Sequence, residues 1–188
     1  MSLETIISIC LGIGLAASVG FRVFIPLFVL SLASYFNILE LNDSWIWLGN
    51  LPALIIFGVA TLVEIFAYFI PYIDTLLDSV AVPLAALAGT LIMVSTLEGL
   101  SPEITWTLAI IAGGGTAAAI AGTSSATRLT STVSTGGIGN PIISTVETGT
   151  SVILSIVSIV LPVLAIILVI IILLIIFRMF KKFKKPKG

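Results

Sequence analysis

Six ionisable side chains lie within or beside stretches apolar enough to cross a bilayer: Arg22, Glu64, Asp74, Asp78, Arg128 and Glu147. A charge at that depth costs from about 2.5 kcal/mol upwards. Groups under such a penalty are retained for a role, either locking helices together as ion pairs or handling a polar solute. Asp74 and Asp78 are four apart, so a helix sets both on one face. Two carboxylates so placed repel, and an arginine partner or a retained proton relieves them. With all six ionised, four negative and two positive charges leave the surplus that a proton- or cation-coupled pathway uses. We therefore expect the six to surround one partly hydrated centre. The plainer alternative is a set of arginine–carboxylate pairs that hold the bundle, with Asp74 a solvated helix cap.

A second polar feature follows Arg128. Between Thr123 and Ser151, 14 of 29 residues are Ser or Thr, interrupted by Gly136, Gly137, Gly139, Asn140 and Pro141. Hydroxyls can replace a solute's hydration shell, and glycine lets backbone approach a ligand. On that reading Ser134, Thr135, Gly136, Gly137, Asn140 and Ser144 join the ion or solute pathway, with 134–141 as unwound backbone. Equally, such hydroxyls bond to their own helix, and Gly with Asn-Pro makes ordinary turns.

The chemistry that is missing narrows the field. The chain has no histidine, which removes histidine acid–base catalysis and the commonest metal ligand. Cys10 is alone in an apolar run and reads as a small buried hydrophobe. Tyr72-Ile73-Asp74 and Gly137-Ile138-Gly139-Asn140 brush against the paired motifs of intramembrane aspartyl proteases, but Asn140 cannot share a proton as the second carboxylate must. Gly12-x-Gly14 and Gly113-Gly114-Gly115 follow no strand, so they are helix-packing glycines rather than a nucleotide loop. The expectation is a protein that is not an enzyme, with no cofactor and no metal site.

Those groups must be positioned by membrane helices. Of 188 residues, 59% are hydrophobic and 9% charged, and the mean hydropathy is +1.28, whereas a soluble domain is about 25% charged. The reading is an all-α integral membrane protein, one domain over 1–188, built as a bundle of about five or six spans with some broken or kinked. Its halves run from about 1 to 98 and from about 103 to 180. Ile6 to Ala33 is too long for a signal-peptide core and lacks a basic lead, since Glu4 is the only side-chain charge before Arg22. It reads as a retained helix bent at Pro26.

Tyr35 to Asn50 is an aromatic, interfacial connection, and Leu51 to Ile70 makes a second span. A third runs from about Ile73 to Thr96 around Pro83. Ser101-Pro102-Glu103 starts a fourth, Ile104 to Gly122. Val152 to Phe177 has 26 uncharged residues, about 39 Å of helix, and must tilt or kink at Pro162. Arg178 and five lysines fill the tail 178–188. A basic cluster directly after an apolar helix is a cytoplasmic anchor drawn to anionic lipid rather than a nucleic-acid site. The protein is thus placed as multi-pass in the inner or plasma membrane with its C-terminus cytoplasmic.

The polar positions also hint at a duplication. Gly12, Ala16, Ser18, Gly20 and Arg22 match Ala118, Gly122, Ser124, Ala126 and Arg128 at an offset of 106. Small residues four apart allow close helix approach, so Gly12, Ala16, Gly20 and Ala118, Gly122, Ala126 are read as packing stripes, each leading to an arginine. Pro71, Ile73, Asp74 and Thr75 match Pro141, Ile143, Ser144 and Thr145 at an offset of 70. Duplicated halves with the site at their interface are a recurrent transporter design, although Gly/Ala/Ser-rich helices also match by composition.

Gly20-Phe21-Arg22 with Pro26, Glu64 followed by Ile70-Pro71, Asp74, Asp78 and Pro83, and Ser134-Thr135-Gly136-Gly137 with Asn140-Pro141 form a constellation across most of the chain. Together they resemble a family of small multi-span prokaryotic membrane proteins catalogued as a domain of unknown function. The resemblance implies the architecture and no mechanism. The sequence reading is a small transporter or channel-like protein, handling an ion or small polar solute through a hydrated interior, embedded in lipid and homo-oligomeric. The alternative is a scaffold or complex subunit that packs against partner proteins or lipids.

Overall fold

The computed structural model describes residues 2–70 and 73–183. Among these every regular element is helical. In chain order they are α1 (Leu3–Val19), α2 (Phe24–Tyr35), a 3-10 turn (Asp43–Gly49), α3 (Leu51–Ala67), α4 (Ile73–Thr96) and α5 (Pro102–Leu108). A π segment (Ala109–Gly114), α6 (Gly115–Thr135), α7 (Asn140–Val160) and α8 (Pro162–Phe183) follow. Pro71 and Tyr72, and with them one end of the second repeat match, lie outside the described residues. So do Lys184, Lys185 and Lys187 of the basic tail.

Three helices are long and apolar enough to cross a membrane: Ile73–Thr96, the continuous Pro102–Thr135, and Asn140–Val160. The 3-10 turn and α3, bent by 62°, make a fourth if counted as one span. Large apolar side chains such as Ile55, Leu62, Phe66, Val133 and Ile153 cover the outside, as a lipid-facing surface requires. The chain is a multi-pass membrane protein.

The first expected span is two helices, not one bent at Pro26. The chain breaks at 20–23 and α2 turns back, so that Ser31 donates to the Leu48 carbonyl and the Asn42 amide to that of Ser95. Glu98, near the same end, donates its amide to Ser8 of α1. Pro26 is the third residue of α2, where its missing N–H would have had no helical partner anyway. Arg22 is the tip of this hairpin. It lies seven residues inside the start of α7 when measured at its partner Glu147, about 10 Å from that helix end.

The Ser/Thr-rich stretch is helical as well. Thr123, Thr127, Thr130, Ser134 and Thr135 each donate to the carbonyl four residues earlier, so the hydroxyls satisfy themselves within α6. Unwound backbone shrinks from 134–141 to the four residues 136–139, where Gly136 (φ 65°) and Gly137 (φ 89°) adopt the left-handed region that favours glycine. At the far end the helix breaks at Leu161, pushed out of helical geometry by Pro162. The run expected at Val152–Phe177 is therefore the end of α7 plus α8. α8 doubles back, since Ile172 and Ile176 share a groove with Ile143 and Val146.

Glycine closes the helix contacts. A Cβ on Gly12 would meet Thr96 Oγ1 at 2.9 Å, and one on Gly20 would meet Ile120 Cβ at 2.5 Å. With fully buried Ala16, the first stripe packs as expected. The second does not: Ala126 is exposed, Ala118 half-buried, and a Cβ on Gly122 has only Val82 at 3.8 Å. On that helix Gly113, Gly114 and Ala117 make the close approach instead, against Ala86 and Gly89 of α4. Pro102 opens α5 behind Ser101, whose hydroxyl makes no capping bond.

Candidate functional site

α7 carries its polar residues inward. Asn140, Ser144, Glu147, Ser151, Ser155 and Ser158 are all buried, at spacings of three and four that form one helical face. Ser151 donates to the Ser18 carbonyl of α1 at 3.0 Å, and Ser144 to the Tyr68 carbonyl at 3.5 Å. Small hydroxylated side chains let α7 lie close to α1 and place Glu147 in the middle of the bundle.

There Glu147 Oε2 receives both arginines. Arg22 Nη1 donates to it at 3.2 Å, and Arg128 Nη2 donates to the same oxygen. The two guanidinium carbons each lie 4.0 Å from the Tyr68 ring centroid, contacts that favour a buried cation by about 2 kcal/mol when desolvated. Arg22 is fully used. Its Nε donates to Thr148 Oγ1 at 3.1 Å, Nη2 to the Ser144 carbonyl at 3.1 Å, and Nη1 also to the Phe21 carbonyl at 3.2 Å.

Arg128 differs. It is 2% exposed, yet among the described residues its Nε and Nη1 donate no hydrogen bond. Nη1 has the Asp78 carboxylate at 3.5 Å, an ion pair without a hydrogen bond. The buried Ser125 hydroxyl, one turn away on α6, also has no partner.

The remaining two carboxylates stand apart. Glu64 accepts the amides of Val23 at 2.8 Å and Phe24 at 2.9 Å, which caps α2 from α3. Asp74 Oδ1 accepts the Thr75 amide at 2.7 Å at the start of α4, and Oδ2 accepts Asn140 Nδ2 at 3.0 Å. Both therefore face the positive end of a helix. The expected surplus of negative charge is dispersed in this way, and Arg22, Arg128, Glu147 and Asp78 form a balanced group of two positive and two negative charges.

A cleft of about 510 Å³ opens beside this group, between the 68–75 and 132–141 segments. Tyr68, Asp74, Thr132 and Asn140 line it. Asn140 Nδ2 also donates to Thr132 Oγ1 at 2.9 Å, while its Oδ1 has no partner among the described residues. Asp74 is one turn from Asp78, and Thr132 one turn from Arg128. The cleft thus ends about 5 Å short of the Asp78–Arg128 pair, with Tyr68 belonging to both.

A family model, Domain of unknown function (DUF4126), matches residues 9–182. The chain belongs to this family. No curated protein and no solved structure matches it.

Of the expected pathway residues in this DUF4126 chain, Arg22, Arg128, Glu147 and Asp78 meet directly and Ser144 joins them through its carbonyl, while Asn140 and Asp74 bond to each other in the cleft. Glu64 is held off at the α2 amides. Ser134 and Thr135 are exposed with hydroxyls turned to their own helix, while Gly136 and Gly137 only rim the cleft. Sequence reasoning passed over Tyr68 and, of the inward serines, Ser151, Ser155 and Ser158. Tyr68 is four residues after Glu64, hence on the same face, and the serine spacing of α7 is visible to periodicity. Among the described residues no three His, Cys, Asp or Glu side chains group as a metal ion would need.

Proposed function

We propose that this protein moves or senses a small ion or polar solute through a hydrated interior centred on Arg128, Asp78 and Glu147. One observation carries the reading: a fully buried guanidinium with two nitrogens that make no hydrogen bond among the described residues, one of them ion-paired to Asp78, one turn beyond a polar cleft. A buried charge so incompletely satisfied is costly for a purely structural element. Intramembrane ionisable groups that line cavities typically serve solute or proton paths.

The reading includes five or six membrane passages, with the α1–α2 hairpin entering from one side, and a C-terminus on the cytoplasmic side under the basic tail. It also includes assembly as a homo-oligomer and no covalent chemistry. The convergence of Arg22 and Arg128 on one oxygen favours an ancestral duplication of the arginine-bearing helices.

The test is flux in liposomes holding purified protein, over a panel of small ions and polar solutes. Flux is expected with the native chain and lost in Arg128→Gln, whose gel-filtration profile stays native. No flux of any solute by folded protein would overturn the reading. The scaffold alternative has one observation in its favour, that every nitrogen of Arg22 donates a hydrogen bond. It predicts that Arg128→Gln lowers folded yield and nothing else.

A further inference from the structure

The two arginines, alike in sequence context, are unlike in what holds them. Arg22 spends its nitrogens on Thr148, Glu147, Ser144 and Phe21, so it is fixed. Arg128 spends one nitrogen on Glu147 and keeps Nε and Nη1 unused among the described residues. Donors without acceptors call for a ligand rich in oxygen acceptors. A cation at the same place would sit against two guanidinium groups whose shared acceptor, Glu147, is already engaged by both.

Charge balance then limits how an anion enters. The centre is neutral with Arg22, Arg128, Glu147 and Asp78 ionised, and a monovalent anion alone would leave a buried net negative charge. Asp78 is the group free to adjust. It touches Arg128 at 3.5 Å without a hydrogen bond, and its side chain is 18% exposed where those of Arg22, Arg128 and Glu147 are nearly sealed. The charged or titratable groups around it are Arg128 of α6, Glu147 of α7, Arg22 of the α1–α2 tip, Tyr68, and Asp74 on its own helix.

The geometry points to a proton-linked site for a small oxyanion, a carboxylate or phosphate, that takes the place of Asp78 on Arg128 while Asp78 takes up one proton. This rests on the transport reading and names its solute class. The anion would pass from the cleft by the Asn140–Asp74–Thr132 layer and displace Tyr68 from the Arg128 face, since those groups separate the cleft from the pair. Ser125, unpartnered one turn from Arg128, is in place to bond to the bound anion.

The experiment is calorimetric titration of purified full-length protein with sodium acetate, with inorganic phosphate and with choline chloride. Each is run at constant sodium chloride in two buffers of different ionisation enthalpy. Acetate or phosphate is expected to bind with uptake of one proton, so affinity rises about tenfold per unit fall in pH. Asp78→Asn should still bind acetate, which stays a monoanion across neutral pH, without proton uptake and without pH dependence. Arg128→Gln should bind none. If Arg128→Gln does not fold, Asp78→Asn decides alone.

Acetate binding without proton uptake, or uptake with acetate that persists in Asp78→Asn, overturns the inference. Binding of choline but of neither anion also overturns it and leaves the transport reading standing. Absence of flux for every solute in liposomes defeats both.

Discussion

Glu147→Gln is the most informative single change, because one oxygen carries two buried guanidinium groups. The substitution keeps the shape and removes the charge. Arg22 then keeps no directly contacting anion, and Arg128 keeps only Asp78, at 3.5 Å. Deleting one member of a buried ion pair costs about 3–5 kcal/mol. In a chain of this length 1 kcal/mol moves the midpoint by about 2–4 °C, so the melting temperature should fall by roughly 6–20 °C. The assay is thermal unfolding in one fixed detergent, followed through tryptophan fluorescence, with gel filtration of the folded material. Adding Arg128→Gln restores charge balance and should recover more than half of the loss. A single variant melting within about 2 °C of the native protein would refute the argument, as would a double variant less stable than the single.

Three other outcomes follow from the packing and the hydrogen bonds. Gly20→Ala drives a methyl into Ile120 and the Ala117 carbonyl at 2.5 and 2.8 Å and should cost about 1–3 kcal/mol, whereas Gly122→Ala, with its nearest contact at 3.8 Å, should leave the melting temperature unchanged. Ser134→Ala should leave flux and stability near native, because that hydroxyl bonds to its own helix, and Asn140→Leu should lower both by breaking the Asp74 and Thr132 contacts. With Cys10 replaced by alanine, a cysteine at Thr132 should react with a water-soluble thiol reagent added from the C-terminal side, and one at Ser151 should be inert to it.

The span of α4, Ile73–Thr96, and the pairing of Asp78 with an arginine were both legible in the residues. So was the burial of the Gly12–Ala16–Gly20 stripe. The break at 20–23 was not, because hydropathy runs unbroken through it and the turn answers to Arg22's contacts with α7, which are distant in sequence. The hydroxyl-rich helix misled for a related reason. Composition counts hydroxyls but cannot say whether they face a solute or the carbonyl four residues back, and here half of those on α6 take the second. Glu64 resembled Glu147 in sequence setting, and what separates them is the partner each meets, the amides that open α2 for Glu64 and two guanidinium groups for Glu147. Gly122 matched Ala16 by alignment, yet the π segment upstream shifts which side of that helix meets α4.

That π segment, Ala109–Gly114, holds one residue more than regular winding needs. Ala109, Gly113, Ala117 and Ala121 recur every fourth residue along the buried edge, a series that ordinary 3.6-residue turns would let wander by about 40° a step. The spare residue takes up part of that slippage and keeps the row straight. Handing it on along the helix would swivel each position it passes by about 100°, and Arg128 lies 14 residues downstream of Gly114. The bulge, set at the α4 contact of Gly113, Gly114 and Ala117, therefore fixes the angle at which the lower helix delivers Arg128 to Glu147.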